Sequence, residues 1–511
     1  MRTPLLTLAA VALVVSACSS SASSPGPSAG HVEGHHLPTP EPYVPPEPAA
    51  SAAPYDGTTY QDPGVNPFQD PTEDRLSTFA MDVDTASYAI AGRYIADGHR
   101  PDPASVRVEE WVNAFDQGYR APRDDTFAVA VDGGPTPFTD EDEVLVRIGV
   151  QAREVRDRAR QDASLTFVID TSGSMARDER LETVKDALRI LVDELRPSDR
   201  VAVVSFGSDA RVVLPSTPAG DRTRILRAID HLEPDGSTNL EAGLRLGYDQ
   251  ARGNLTEEGI DRVILASDGV ANVGLTDGDS ILGEIQHDAA AGIELVSVGV
   301  GMGNYNDALL EQLADQGDGF YAYVDTRDEA ERLFRDDLTS TIQSVALDAK
   351  VQVEFEPDLV VGYRLVGYED RAVADRDFRD PDMPAGAIGA GHSVTALYAL
   401  RLHDDPRTID GDAIARVHLR WTDPDDGGTH ELRDEIRASD LSRSFASADP
   451  HFRLDAIVAE SAEVLRGSPY AHRLDLADVW KVADREAERL PATDQVHAFL
   501  DLLDAARRLD G

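Results

Sequence analysis

The chain has 511 residues, too many for one ordinary hydrophobic core, which sets an expectation of about three domains. Its 41% hydrophobic content excludes wholesale disorder. Its 93 acidic against 48 basic residues, a formal net charge of −45, exclude nucleic acid or an anionic membrane reached through a basic surface. The acidity itself reads as solubility or salt tolerance and specifies no partner.

Met1-Arg2 is a short basic start, and residues 5–15 form an apolar run too short to span a bilayer. Val15-Ser16-Ala17-Cys18 follows, and Cys18 is the only cysteine, so no intrachain disulfide exists. These four residues resemble the lipobox of bacterial lipoproteins. The resemblance implies a signal peptide over residues 1–17, and Cys18 acylated as the mature N-terminus. An ordinary cleaved signal with a chance cysteine is the alternative. With about 0.8 kcal/mol gained per buried methylene, a multiply acylated cysteine anchors firmly where a single chain does not. The expected location is the bacterial cell envelope, lipid-anchored and facing outside the cytoplasm. Residues 18–75 are rich in Ser, Pro, Ala and Gly and read as a disordered tether. His31, His35 and His36 fall in it and read as solvated rather than metal-binding.

Residues 76–162 read as a mixed α/β segment, with helices at 88–96 and 106–115 and strands at 126–131 and 144–150. Asp84-Thr85-Ala86-Ser87 offers capping residues for the first of these helices. Across 163–344, short apolar runs at 165–169, 200–206, 262–266, 294–300 and 320–324 alternate with helical patterns at 181–195, 239–251 and 307–314. Such alternation means βαβ units: an α/β fold with a doubly wound, mostly parallel sheet. Residues 345–440 read as antiparallel strands at 350–355, 363–368, 393–402, 414–421 and 429–436, a β-rich domain. Residues 441–511 return to amphipathic helices, a small helical cap at 452–465, 474–490 and 494–509. The flanking strands are too few on either side for a comfortable β domain. They are expected to pair into one, with the α/β domain inserted between them.

The first strand of the α/β domain ends in Asp170-Thr171-Ser172-Gly173-Ser174. In an open parallel sheet, loops beyond the carboxyl ends of strands converge on one crevice. Thr238, just before a helix, and Asp268, just after a strand, belong to the same edge. Together Asp170, Ser172, Ser174, Thr238 and Asp268 offer an all-oxygen set suited to Mg²⁺ or Mn²⁺, with Ca²⁺ as a further candidate. Two aspartates would balance a divalent ion, and the neutral hydroxyls leave a position open for a ligand. Asp170-Thr171-Ser172 as a mere helix cap is the competing reading.

Asp-x-Ser-x-Ser with the distant Thr and Asp resembles the metal-ion-dependent adhesion site of von Willebrand factor type A domains, over about residues 163–344. The resemblance implies that Ser172, Ser174 and Thr238 hold the ion and that Asp170 and Asp268 bind it directly or through water. It also implies a protein partner that supplies an Asp or Glu carboxylate. Met81-Asp82-Val83-Asp84-Thr85-Ala86-Ser87-Tyr88, Val106-Arg107-Val108-Glu109-Glu110-Trp111 and Gly303-Asn304-Tyr305-Asn306-Asp307 resemble a bacterial subfamily, often lipoproteins. Its members carry a dedicated N-terminal segment and an uncharacterised C-terminal region.

The implied function is partner binding, not catalysis. The rivals are an envelope scaffold or assembly factor with a structural metal, and an uncharacterised hydrolase. His430-Glu431 lacks the second histidine of a zinc protease helix, no Gly-x-Ser-x-Gly is present, and none of the three lysines is preceded by glycine, which excludes a Walker A loop. Asp82-Val83-Asp84-Thr85 mimics a phosphatase pair but has Ala86 where a threonine is needed. Asp423-Pro424-Asp425-Asp426-Gly427-Gly428 reads as a hairpin turn rather than a calcium loop.

Overall fold

The computed structural model describes Thr58 and residues 60–509, except 82, 139–142, 257–258, 270–277, 303–305, 337, 381–382, 384, 406–408, 410–412 and 472. The signal, Cys18, most of the tether with its histidines, and Asp82 lie outside the described residues. The chain enters through β1 (Leu76–Ala80), α1 (Ala86–Ala96), α2 (Val108–Asn113), β2 (Phe127–Gly134) and β3 (Glu143–Ala152). It continues with β4 (Ala163–Asp170), α3 (Arg180–Glu194), β5 (Arg200–Phe206), β6 (Ala210–Pro218), α4 (Arg222–Asp230), α5 (Leu240–Arg252) and β7 (Ile260–Ser267). Then come α6 (Gly278–Ala289), β8 (Ile293–Gly299), α7 (Asp307–Gln316), β9 (Tyr321–Tyr323), α8 (Arg327–Glu331) and α9 (Leu338–Ile342). The last part holds β10 (Ser344–Phe355), β11 (Val360–Val366), β12 (Ile388–Gly389), β13 (Ser393–Leu402), β14 (Ala413–Thr422), β15 (Thr429–Arg437), α10 (Pro450–Leu465), α11 (Leu476–Glu486) and α12 (Asp494–Arg507).

The middle sheet runs β6-β5-β4-β7-β8-β9, with every pairing parallel except the antiparallel edge β6. Strands β4 and β7 are buried on both faces along their whole length, with apolar central runs, as covered parallel strands must be. On one face Leu165, Phe167 and Ile169 pack against Leu181, Val184 and Leu188 of α3. On the other, Val168, Val263 and Leu265 meet Leu244 and Tyr248 of α5, joined by Ile90 and Tyr94 of α1. A helix from before the α/β domain therefore completes that domain's second face.

The flanking strands form two antiparallel sheets, β1-β10-β14-β15 (with β12 on β10) and β11-β13-β3-β2. Their facing sides share one core in which Phe79, Val146, Ile148 and Val150 meet Val353, Phe355, Tyr398 and Leu419. The expected pairing across the inserted domain is present: β1 lies on β10 and β3 on β13. Strand β3 runs apolar because it is buried twice. Val146 and Ile148 face the sandwich, while Leu145 faces a helical layer with Leu397, Trp111, Phe452 and Ile457. The expected C-terminal helices α10, α11 and α12 cover the β region, and α1 and α2 share their core.

Two local expectations also change. Helix α2 is shorter than 106–115 because Arg107 stays extended; its backbone N–H donates to Ser87 Oγ at 2.8 Å. Thr85, the N-cap of α1, makes no side-chain capping bond. Asp84 instead accepts the Tyr321 N–H of β9 at 2.8 Å and Arg371 Nη2 at 2.9 Å. It ties the N-terminal segment to the α/β domain. The 423–428 segment is the expected turn, closed by Asp423 N–H on Gly428 O at 2.8 Å. Among the described residues no helix is long and apolar enough to cross a membrane.

Candidate metal centre

In the middle sheet the strand order reverses between β4 and β7, where the helices that follow leave on opposite faces and open a crevice. Ile169 pairs with Ala266 there, which brings Asp170 and the Ser267-Asp268 step side by side. Both aspartates are 0% exposed. Asp170 Oδ1 accepts the Ser172 N–H at 2.8 Å, and its Oδ2 accepts Ser267 Oγ–H at 2.7 Å. Ser267 Oγ in turn accepts the Gly269 N–H at 3.0 Å, so one hydroxyl links both strand ends. Gly269 has φ of +72°, and a Cβ there would lie 2.9 Å from the Asn306 N and O atoms. Only glycine fits that approach.

Burial, and then the charge of Asp268, push the Asp170 carboxyl up to about 6, while hydrogen bonds from Ser267 and Ser172 pull it back. Two buried carboxylates so placed are electrostatically strained and favour a cation. Asp268 has an internal one: Arg180 Nη1 donates to its Oδ2 at 2.8 Å.

The third loop reaches the first through backbone bonds, with Gly173 N–H on Gly236 O at 3.0 Å and Asp235 N–H on the Thr171 carbonyl. It carries Thr238, which is 1% exposed and whose Oγ1 is buried without a hydrogen-bond partner. Leaving a buried hydroxyl unmet costs about 1–3 kcal/mol, and at a strand-end edge beside two buried aspartates such an atom is free to take a ligand. Ser172 Oγ and Ser174 Oγ lie 2.9 Å apart and bond each other. Ser172 sits at the start of the following 3₁₀ turn but makes no capping bond with its side chain, against the helix-cap reading. The donor set is all oxygen, buried except for the half-buried Ser174, and includes an orphan hydroxyl. These residues fit a hard divalent ion.

All five residues anticipated as ligands therefore belong to three adjoining loops on one sheet edge. Sequence reasoning missed Arg180 and Ser267. An arginine in the first turn of a helix opposes the helix dipole, a signal that it has business elsewhere. Of the Gly303–Asp307 motif, residues 303–305 lie outside the described residues; Asn306 caps α7 by accepting the Leu309 N–H at 3.3 Å. Asp423, Asp426 and His430 also converge, at the β14–β15 turn. The two carboxylates there accept the N–H groups of Asp425 and Gly428, which accounts for their placement as turn formers.

This fold and loop set define a von Willebrand factor type A domain. The type A family model matches residues 164–336, a second one described as von Willebrand factor matches 54–147, and one for the C-terminal region of the uncharacterised protein YfbK matches 340–509. The uncharacterised protein YfbK of Escherichia coli is 35% identical over 434 residues, covering 80% of this chain and 74% of that protein. The uncharacterised protein sll0103 of Synechocystis is 27% identical over 301 residues, covering 57% and 69%. A solved von Willebrand factor type A protein from Catenulispora acidiphila aligns with a TM-score of 0.44 at 18% identity, over 73% of this chain and 89% of that one. The chain belongs to the family of bacterial type A domain proteins that carry the YfbK-type C-terminal region.

Proposed function

We propose that this chain is a lipid-anchored protein of the bacterial cell envelope that captures a protein partner through Mg²⁺ or Mn²⁺. The ion would be held by Asp170, Ser172, Ser174, Thr238 and Asp268, and a partner Asp or Glu carboxylate would complete the coordination. The observation that carries the reading is the buried, unpartnered Thr238 hydroxyl on a loop bonded to the one that bears Asp170 and Ser172. The ion supplies a positive charge able to bind an oxygen anion. The chain's own residues position the donors: Ser267 fixes Asp170, and Arg180 fixes Asp268. The lipobox ending at Cys18 supports the anchored location, and the Pro- and Ser-rich composition that follows it suits a tether.

Crosslinking in intact cells tests the reading. A partner is expected to be captured by the wild-type chain in Mg²⁺ or Mn²⁺, and lost with a chelator or with Asp170→Ala. Equal capture under all three conditions contradicts metal-mediated binding.

A further inference from the structure

The three sequence motifs that lie outside the donor set meet in one buried network. Ser87 belongs to the first, Arg107 and Glu110 to the second, Asn306 and Asp307 to the third. Ser87 Oγ accepts the Arg107 backbone N–H at 2.8 Å, and Glu110 Oε1 accepts Arg107 Nη1 at 3.0 Å. The guanidinium, 4% exposed, then reaches into the type A domain. Its Nη2 donates there to Asp307 Oδ2, and to Glu311 Oε2 at 2.8 Å. Asp307 is the first residue of α7 and is fully buried, and its Oδ1 accepts Tyr321 Oη–H of β9 at 2.8 Å. The start of α7 is thus held from two sides, by its own domain and by a residue that precedes that domain in the chain.

Asn306 comes directly before Asp307, and its backbone lies against the metal centre. A Cβ on Gly269 would fall 2.9 Å from both the N and the O of Asn306. The Gly269 N–H donates to Ser267 Oγ at 3.0 Å, and Ser267 Oγ–H donates to Asp170 Oδ2 at 2.7 Å. A continuous run of contacts therefore joins Arg107 to a carboxylate of the centre, and close-packed contacts of this kind carry coupling between sites. We propose that Arg107 is a positioning residue of the metal centre. By clamping the start of α7 it holds Gly269 and Ser267, and through them Asp170, in the arrangement that accepts the ion. The segment before the type A domain then sets the metal affinity of that domain. This rests on the metal reading above and adds a control exerted from outside the domain.

Calorimetric titration of the full chain with Mn²⁺, at a temperature where each variant is folded, tests it. Arg107→Met is expected to bind Mn²⁺ about tenfold more weakly than wild type, within the usual range of coupling between sites. Tyr321→Phe removes a single bond to Asp307 and is expected to lose about threefold. Arg453→Met controls for lost stability alone: it breaks a buried pair with Glu486, 3.1 Å apart in the helical layer, and its Mn²⁺ affinity is expected to stay at the wild-type value. Coupling is reciprocal, so Mn²⁺ is also expected to slow amide hydrogen exchange across α7 in wild type and not in Arg107→Met. A folded Arg107→Met chain with wild-type Mn²⁺ affinity overturns the proposal, as does an equal loss in Arg453→Met. If Arg107→Met does not fold, Tyr321→Phe decides, and wild-type affinity in that variant overturns the proposal. A wild-type chain that takes up no Mn²⁺ overturns the metal reading itself, whereas uptake that the Arg107 and Tyr321 variants leave unchanged overturns this inference alone.

Discussion

Thr238 shows what a single hydroxyl does in this protein. Buried without a partner, it contributes nothing to the metal-free fold, so Thr238→Ala is expected to leave the melting temperature in chelator unchanged or slightly raised. The same change is expected to weaken Mn²⁺ binding by about tenfold, the scale of one contact to a charge. Equal losses in stability and affinity would mean that the hydroxyl is structural. Glu460 offers a pH test far from the centre. Burial, and then Glu463, push its carboxyl from 4.5 up to about 8, and its Oε1 has no hydrogen-bond partner. The folded state keeps this proton while the unfolded state releases it, so the residue lowers stability progressively as pH rises from 4.5 to 8. Glu460→Gln is expected to stabilise by about 1–2 kcal/mol at pH 8, allowing for partial exposure, and to have no effect near pH 4. Melting curves of both chains across that range check it. At this scale the placement of Asp170, Ser172, Ser174, Thr238 and Asp268 on one edge was legible because strand-end loops gather there. Arg180 was not, since a charged helix residue reads as surface until its neighbours are known.

At the scale of elements, α2 and α7 are joined by one guanidinium. Arg107 pairs with the buried Glu110 at 3.0 Å, Glu311 at 2.8 Å and Asp307, and with Asp370 at the surface at 3.2 Å. Arg107→Met removes the buried cation these carboxylates share and is expected to cost about 3–5 kcal/mol, read as a lower denaturant midpoint. A loss under about 1 kcal/mol would show that the network relaxes into solvent. The long β3, β13 and β14 were legible from their apolar content. The edge strand β6, half of it exposed, gave little pattern, and the five-residue β1 was hidden in a polar context. The six-residue α2 shows the opposite failure: an amphipathic pattern ran on through Arg107, which the ion pairs hold extended.

At the scale of the whole molecule, the type A domain interrupts a sandwich whose sheets draw strands from both sides of it. Strand β3 meets β13 over nine residue pairs, from Gln151–Ser393 to Glu143–Arg401, and β1 lies along β10. Proteolytic cleavage near Asp162 is therefore expected to leave fragment 76–160 bound to the rest through native gel filtration. Its free release would contradict the shared sheets. The inserted arrangement was legible from the shortage of strands on each side, an argument from burial rather than motif. The docking of α1 on the type A sheet was not, because nothing in Ile90 or Tyr94 says which core they enter. On the proposed lipid anchor, Cys18→Ser is expected to appear in a soluble fraction, and its retention with membranes under high salt would contradict Cys18 as the sole anchor.

The most direct test of the central claim is calorimetric titration of the purified chain with Mg²⁺ and Mn²⁺, beside Asp170→Ala. The account predicts saturable binding near one ion per chain with a raised melting temperature in the wild type, and neither in the variant. A folded wild-type chain that gives no binding heat with either ion at millimolar concentration, and no shift in melting, would contradict it.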